Sequence, residues 1–530
     1  MTNSELIVRI LENAGVRWVF GVPSGPVLPL IESLRCSSIE FVLTASETSA
    51  GFMASAVGYL TASPGVCVST VGPGATNLTT GVGCAWLDRA PLLAFTCNVP
   101  TAWLDRRIQM RIDHQALFRP ITKATFSLRD GGVSQLLPQA LAIAASEPPG
   151  PVHLDLPEDI AQSEAVEVLT RGREPDTLAD RSADVARAVS AALQRACRPL
   201  VVTGLTCSRY NVADKLLRFI ERQKIPFVTT LHGKGFLPES HPHWAGVIGR
   251  ARRSDIKKFT DQADLIIAVG YDPIEMNYEE WVGGAPVAHV SSEAADGGGV
   301  AWVWNEACQP VAAVAAMADI GAVGNQWAAD DWRKHRDLFD RALRPGGGKF
   351  AAHHVLDALR ENLAPDGILA YDVGAHTHQI ASQWRTDHPR TLLATNGWSS
   401  MGYGMPAAYA AKLAFPEREV AAVVGDGGFQ MTAGELSLAR RLRLQVPVIV
   451  LNDGWLGLMK VKQVRKSYPL SGVYLGPPPD SPAHYFGVPC RAVRTAEEFS
   501  HALHWAFNLD GPSVIEAFID VEPYSQTVFD

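Results

Sequence analysis

Two aspartates stand at the ends of apolar, β-branched runs in the last third of the chain. Asp426 closes Glu419–Asp426 and Asp453 closes Val446–Asp453, and glycines follow both as Gly427-Gly428 and Gly454. The interval between them reads as helical. That pattern suits a strand–helix–strand crossover returning both carboxylates to one carboxyl edge of a parallel sheet. Ligands of open α/β sheets bind at that edge. Two hard oxygen donors beside exposed backbone N–H groups suit a magnesium ion holding a diphosphate. Asp-Gly after a strand is also ordinary turn chemistry that needs no metal. The pair and its spacing therefore carry the inference, not either aspartate alone.

Other residues are placed to act with that pair. Glu47, in Ala45-Ser46-Glu47-Thr48, sits where a strand passes into an apolar helix. The helix dipole favours a glutamate there in any case, and at a sheet edge it can also reach a ligand. Asp372-Val373-Gly374-Ala375-His376 ends a further strand, with His378 just beyond. His114, in Asp113-His114-Gln115, titrates near neutrality and reads equally as a proton shuttle or a surface loop residue. Arg106, Arg107 and Arg111 form either a solvated face or a grip on a substrate carboxylate. Lys123 has the same two readings.

These groups need a large scaffold, and the chain supplies one. Its 530 residues suit roughly three domains. A hydrophobic share of 47% against 19% charged describes a well-buried globular protein, not a disordered one. A net charge of −8 disfavours nucleic acid or an anionic membrane as partner. The eight cysteines show no zinc spacing and read mainly as buried thiols. The opening Met1-Thr2-Asn3-Ser4-Glu5 lacks a signal peptide's basic and apolar regions, and no long apolar run follows, so a cytoplasmic protein is expected. Alternating apolar strands and amphipathic helices predict an α/β fold of three doubly wound parallel-sheet domains, at 1–170, 182–330 and 349–530. Charged, apolar-poor stretches at Arg171–Arg181 and Ala328–Gly348 read as linkers.

Taken in order, the motifs carry a resemblance. Phe20-Gly21-Val22-Pro23-Ser24-Gly25, Ser46-Glu47-Thr48, Gly72-Pro73-Gly74-Ala75-Thr76-Asn77 and Arg119-Pro120-Ile121-Thr122-Lys123 precede Gly150-Pro151-Val152-His153. Gly425-Asp426-Gly427-Gly428 is then followed by Asn452-Asp453-Gly454. Over nearly its full length the chain resembles the thiamine diphosphate (ThDP) enzymes, in their acetolactate synthase-like branch.

The resemblance implies a fold and a site. The first and third domains resemble the pyrimidine-binding and diphosphate-binding domains, around a central Rossmann-like one. It implies that Glu47 activates the cofactor pyrimidine and that Asp426, Asp453 and the Trp455 carbonyl bind magnesium. Gly25, Gly374, His376, Ser399, Gly425, Gly427, Gly428, Leu456, Gly457 and Leu458 would then contact ThDP, and Met401 would act as the apolar wedge that bends it. Gln115 and His114 fall near the reacting carbon. Asp453 departs from the family's usual asparagine. Val461-Lys462 replace the Gln-Trp of branched-chain synthases, which puts that pathway in doubt.

The implied reaction is decarboxylation of a 2-oxo acid with carboligation of the resulting enamine to a carbonyl acceptor. A non-ligating decarboxylase, a ThDP-dependent C–C hydrolase or lyase, a FAD-bearing oxidase and a non-catalytic relative are the alternatives. The central domain lacks GxGxxG, and Gly270-Tyr271-Asp272-Pro273-Ile274-Glu275 resembles the FAD-free members, so no FAD is expected. A homodimer or homotetramer with active sites between subunits is implied, acting on small molecules.

Overall fold

The computed structural model describes residues 1–129, 132–166, 178–276, 280–476 and 480–528. Its strands form three six-stranded sheets, and every pairing within them is parallel. The α/β expectation of three doubly wound domains holds.

In the first sheet, β1 (Trp18–Gly21), β2 (Glu40–Leu43), β3 (Gly65–Ser69), β4 (Leu92–Asn98), β5 (Ala124–Ser127) and β6 (Pro151–Pro157) lie in the order β2-β1-β3-β4-β6-β5. The second holds β7 (Pro199–Thr203), β8 (Phe227–Thr229), β9 (Trp244–Val247), β10 (Leu265–Val269), β11 (Val287–Val290) and β12 (Trp302–Trp304), in the order β12-β11-β10-β7-β8-β9. In the third, β13 (Ile368–Tyr371), β14 (Leu392–Leu393), β15 (Val420–Gly425), β16 (Pro447–Asn452), β17 (Cys490–Val493) and β18 (Ser513–Phe518) run β14-β13-β15-β16-β18-β17. Strands buried on both faces explain the near-continuous apolar runs in the sequence.

The helix Glu47–Thr61 is buried on nearly every side, and Pro73–Leu87 is buried along the face that meets it while Thr76 and Asn77 stay exposed. They meet backbone to backbone: a Cβ on Gly81 would fall 2.4 Å from the Gly51 Cα. The helix Gly404–Ala414 of the third unit covers the other side, with Phe52 and Tyr403 edge-to-face at 5.6 Å. One apolar core thus runs from Phe20 and Phe52 through Tyr403 and Met405 to Val424 and Leu436. It ties the unit carrying Glu47 to the unit carrying Asp426.

One segment read as a linker is something else. Ala328–Gly348 contains the helix Ala329–Ala342, whose Trp332 and Phe339, with Leu343 beyond, are buried in the central unit's core. Its charged outer face diluted the apolar signal. The other expected linker, Arg171–Arg181, falls largely outside the described residues. Among the described residues every cysteine is free, and Cys67, Cys84, Cys97, Cys207 and Cys308 are buried, whereas Cys36 and Cys197 are exposed. No helix among the described residues is long and apolar enough to cross a membrane.

Candidate active site

The third sheet places β15 beside β16 in parallel register, Gly425 opposite Leu451. Asp426 is the first residue of the helix after β15, and Asp453 follows β16 directly. The two carboxylates therefore share the edge that their spacing implied. Asp426 Oδ2 accepts from the Gly454 N–H at 2.8 Å, and its Oδ1 accepts from the Gly427 N–H at 2.9 Å. Asp453 Oδ1 accepts from the Trp455 N–H at 2.9 Å. Burial pushes Asp426 up to about 6. Burial and then the neighbouring Asp426 charge push Asp453 up to about 7. Two carboxylates that repel one another form a site short of positive charge. Among the described residues no three His, Cys, Asp or Glu side chains gather to hold a metal. A magnesium ion fits nonetheless, since it is commonly held by one or two carboxylates with phosphate and water completing its shell.

The floor of this edge is built from close approaches. A Cβ on Gly428 would fall 1.9 Å from Asp372 Oδ2, and one on Gly427 would meet Leu456, Met401 and Leu475 at 3.0, 3.1 and 3.4 Å. Met401 and Leu456 thus flank Gly427, beside the helix that begins at Gly457 and carries Leu458. The His376 ring lies against Gly374 and Gly425, at 2.7 and 3.1 Å from the positions their Cβ atoms would take. Burial holds that ring neutral, down at about 4, and its buried Nε2 has no partner. A diphosphate oxygen is the partner such a nitrogen lacks.

Asp372 is an organiser that the sequence reading passed over. Its carboxylate accepts from the N–H groups of Gly402 (2.8 and 3.0 Å) and Tyr403 (3.3 Å), holding the Met401 turn against the end of β13. Burial raises it to about 6. An acid at a strand end, two residues before Gly374, was the available signal.

Glu47 opens its helix at the edge of the first sheet, after the Ser46 side chain accepts from the Ser49 N–H. Its Oε2 accepts from Asn77 Nδ2 at 3.2 Å, and a Cβ on Gly74 would lie 3.1 Å from Oε1. The motif Gly74…Asn77 therefore serves the glutamate carboxylate directly. Gly25 begins a short turn after β1, next to Ser24, whose hydroxyl bonds that of Thr70.

The remaining candidates are placed differently. His114 is buried, not in a surface loop: its Nε2 accepts from the Gly72 N–H (3.2 Å) and its Nδ1 faces Asp155 (3.1 Å) and Thr96 (2.9 Å). Both nitrogens are thus engaged in holding the Gly72 turn. Gln115 accepts from the Thr125 hydroxyl at 3.4 Å. The residue of that loop packed on Gly72 is Met110, whose φ is +63°. Ser399 is exposed, also left-handed at +51°, and donates to the Asn396 carbonyl. It borders a cavity shared with the central unit rather than the Gly427 floor. Lys123 is structural, donating to the Ser146 and Pro148 carbonyls and the Ser146 hydroxyl, each at 2.8 Å. Arg106 and Arg107 are exposed, as a solvated face would be.

The three profiles that match the chain follow this division. They are the N-terminal binding domain of thiamine pyrophosphate enzymes at residues 1–117, the central domain at 186–319 and the C-terminal binding domain at 372–517. The acetolactate synthase large subunit of Corynebacterium glutamicum is 30% identical, with 98% of this chain and 87% of the relative covered. The chain belongs to the thiamine pyrophosphate (thiamine diphosphate) enzymes. It is also similar to a probable acetolactate synthase large subunit of Methanocaldococcus jannaschii (29% identical, 98% and 92% covered) and to an acetolactate synthase of Bacillus subtilis (28%, 98% and 93%). Within this family it is an acetolactate synthase-like, ThDP-dependent enzyme.

Proposed function

We propose that the protein decarboxylates a small 2-oxo acid and ligates the remaining fragment to a carbonyl acceptor, using ThDP and Mg²⁺. The observation that carries the reading is the pair Asp426 and Asp453 on neighbouring parallel strands, with an unpartnered His376 nitrogen beside them. Relatives named acetolactate synthases along nearly the whole chain support the ligating outcome over simple aldehyde release.

Bound at this edge, ThDP supplies a carbon nucleophile and an electron sink for the pair left behind when carbon dioxide departs. The chain's own residues do the rest. Asp426, Asp453 and the Trp455 carbonyl would hold the metal, and Gly427, Gly428 and His376 would hold the diphosphate. Met401 and Leu456, flanking Gly427, would pack on the cofactor and exclude water, Met401 as the apolar wedge. Glu47, steadied by Asn77, would hold the proton at the pyrimidine ring. A homodimer or homotetramer with sites completed between subunits belongs to the same reading. A cytoplasmic location, and domains at 1–170, 182–330 (extended to the end of the helix Ala329–Ala342) and 349–530, belong to the same reading.

FAD forms no part of it. At the carboxyl edge of the central sheet, Glu275 Oε2 accepts the Leu205 N–H at 2.9 Å, and a Cβ on Gly204 would fall 2.4 Å from the Tyr271 Cα. The Leu205 N–H at that edge is thus taken by a side-chain carboxyl, which supports a central unit without FAD. Incubation with ThDP, Mg²⁺ and pyruvate, following carbon dioxide and products by mass spectrometry, tests the proposal. Acetolactate is expected; carbon dioxide with acetaldehyde alone would replace ligation by simple decarboxylation.

A further inference from the structure

Gly72 leads from β3 into the helix Pro73–Leu87 through a left-handed turn, with φ of +66°. Glycine is required there, because a Cβ would fall 2.3 Å from the Met110 carbonyl oxygen. The turn is buried, and a buried N–H without an acceptor is costly. The acceptor for the Gly72 N–H comes from a different element, as His114 Nε2 at 3.2 Å. That nitrogen therefore carries no proton, and the bonding pattern assigns the ring proton to Nδ1, 3.1 Å from Asp155 Oδ1 and 2.9 Å from the Thr96 hydroxyl. Asn98 Nδ2 donates to both Asp155 oxygens, at 3.0 and 3.2 Å, and fixes the carboxylate in turn. The Thr96 hydroxyl also meets His153 Nε2 at 2.8 Å. Burial holds the His153 ring uncharged, down at about 3, so Asp155 carries the charge of this network.

The element that this turn begins is the one that meets Glu47. The Thr76 N–H donates to the Gly72 carbonyl at 3.0 Å, so the turn and the first helical residues are one piece. Within that piece a Cβ on Gly74 would lie 3.1 Å from Glu47 Oε1, and Asn77 Nδ2 donates to Glu47 Oε2 at 3.2 Å. The Asn77 carbonyl accepts from the hydroxyl of the next residue, Thr48, at 2.7 Å. A shift of Gly72 therefore moves the partners of the Glu47 carboxylate. Both nitrogens of His114 are spent on the Gly72 turn and on Asp155, which leaves neither to carry a proton to a substrate.

Resting on the role proposed above for Glu47, we infer that His114, oriented by Asp155, is a positioning residue for Glu47 that acts through the Gly72 turn. Asp155 fixes the tautomer of the ring, the bare Nε2 fixes Gly72, and Gly72 sets Gly74 and Asn77 against the glutamate. An apolar side chain at position 114 would fill the same space and leave the Gly72 N–H unpaired. Small displacements of a catalytic group are expensive in rate even when the group itself is intact.

The full-length protein loaded with ThDP and Mg²⁺ is transferred to D₂O, and exchange of the thiazolium C2 proton of bound ThDP is followed by acid-quenched NMR, which needs no substrate. His114→Leu and His114→Asn should slow exchange at least about tenfold, as befits a buried donor left unpaired, with ThDP affinity little changed. His114→Gln, whose Oε1 reaches the place of Nε2, should recover most of the rate. In a Glu47→Gln background, His114→Leu should slow exchange no further. Wild-type exchange in His114→Leu and His114→Asn overturns the assignment and leaves the role of Glu47 standing. Losses that add to that of Glu47→Gln also overturn it, since they mark a residue that does not act through Glu47. If His114→Leu does not fold, the comparison of His114→Gln with His114→Asn decides. Faster exchange in His114→Gln upholds the positioning role, and equal rates end it. Wild-type exchange in Glu47→Gln alone would end both readings.

Discussion

The Glu435 carboxylate of the third unit accepts the Ala45 N–H of the first unit with both oxygens, at 3.0 and 3.1 Å. Glu435 is buried, and burial raises its pKa while hydrogen bonds from Ser49 and the Ser46 backbone oppose that rise. Arg441 of the same segment donates to the Leu43 carbonyl at 2.6 Å. The turn that presents Glu47 is therefore held from outside its own sheet. Glu435→Gln keeps one acceptor and loses the other. It should lower kcat about tenfold, the equivalent of one charge-assisted hydrogen bond, with ThDP affinity moving less. Equal losses in both would assign Glu435 to packing alone.

Glu47 itself gives a sharper split. Glu47→Gln preserves the bond from Asn77 but removes the exchangeable proton. Turnover should fall by about 10²–10⁴-fold, the range for a positioned acid–base group. ThDP binding, read by quenching of tryptophan fluorescence, should persist. Full activity in this variant would remove Glu47 from the mechanism.

The shared sheet edge of Asp426 and Asp453 was legible in the sequence, and the reason is physical. Strand-end glycines and acids are local signals, and a parallel crossover leaves one arrangement for Asp426 and Asp453. Glu435 was not legible, because it acts across a boundary between units and no short-range pattern encodes its partner. Gln115 was set near the reacting carbon by the resemblance alone; in the structure the single helical turn His114–Phe118 carries it, and its Oε1 accepts from the Thr125 hydroxyl. The helix Ala329–Ala342 was hidden by its own charged face.

The acidic pair predicts a metal response that needs no turnover. Without a cation the two carboxylates repel, so Asp453→Asn should raise the Tm of the cofactor-free protein. Relief of about 1 kcal/mol corresponds to about 2–4 °C in domains of this size. The further rise on adding Mg²⁺ and ThDP should shrink in Asp453→Asn and vanish in Asp426→Asn. A Tm response to Mg²⁺ and ThDP identical in all three proteins would detach these aspartates from the metal.

Gly428 tests the floor beneath the diphosphate. The Cβ of Gly428→Ala would fall 1.9 Å from Asp372 Oδ2, so either the Asp372 clamp or the helix start must move. Overpacking of this kind costs about 1–3 kcal/mol, and ThDP affinity should drop with it. Gly25→Ala, with open space at its Cβ, is the control and should leave the unfolding free energy within about 0.5 kcal/mol of wild type. Comparable Tm values for the two variants would contradict the close approach.

Glu275 sets a pH dependence of stability. Burial pushes its carboxyl from 4.5 up to about 7 in the folded protein. Below about pH 4.5 it is protonated in both states and carries no penalty. Between there and about pH 7 the folded state holds the proton more tightly than the unfolded one, so stability falls as pH rises. Above about pH 7 it is ionised in both, and the penalty levels off at about 3 kcal/mol as an order of magnitude. Glu275→Gln retains an acceptor for the Leu205 N–H and cannot ionise. The stability of wild type relative to this variant, from denaturant unfolding at each pH, should therefore decline from pH 4.5 to 7 and then flatten. A difference that rises or stays constant over that window would mean that the charged carboxylate is well solvated or well paired.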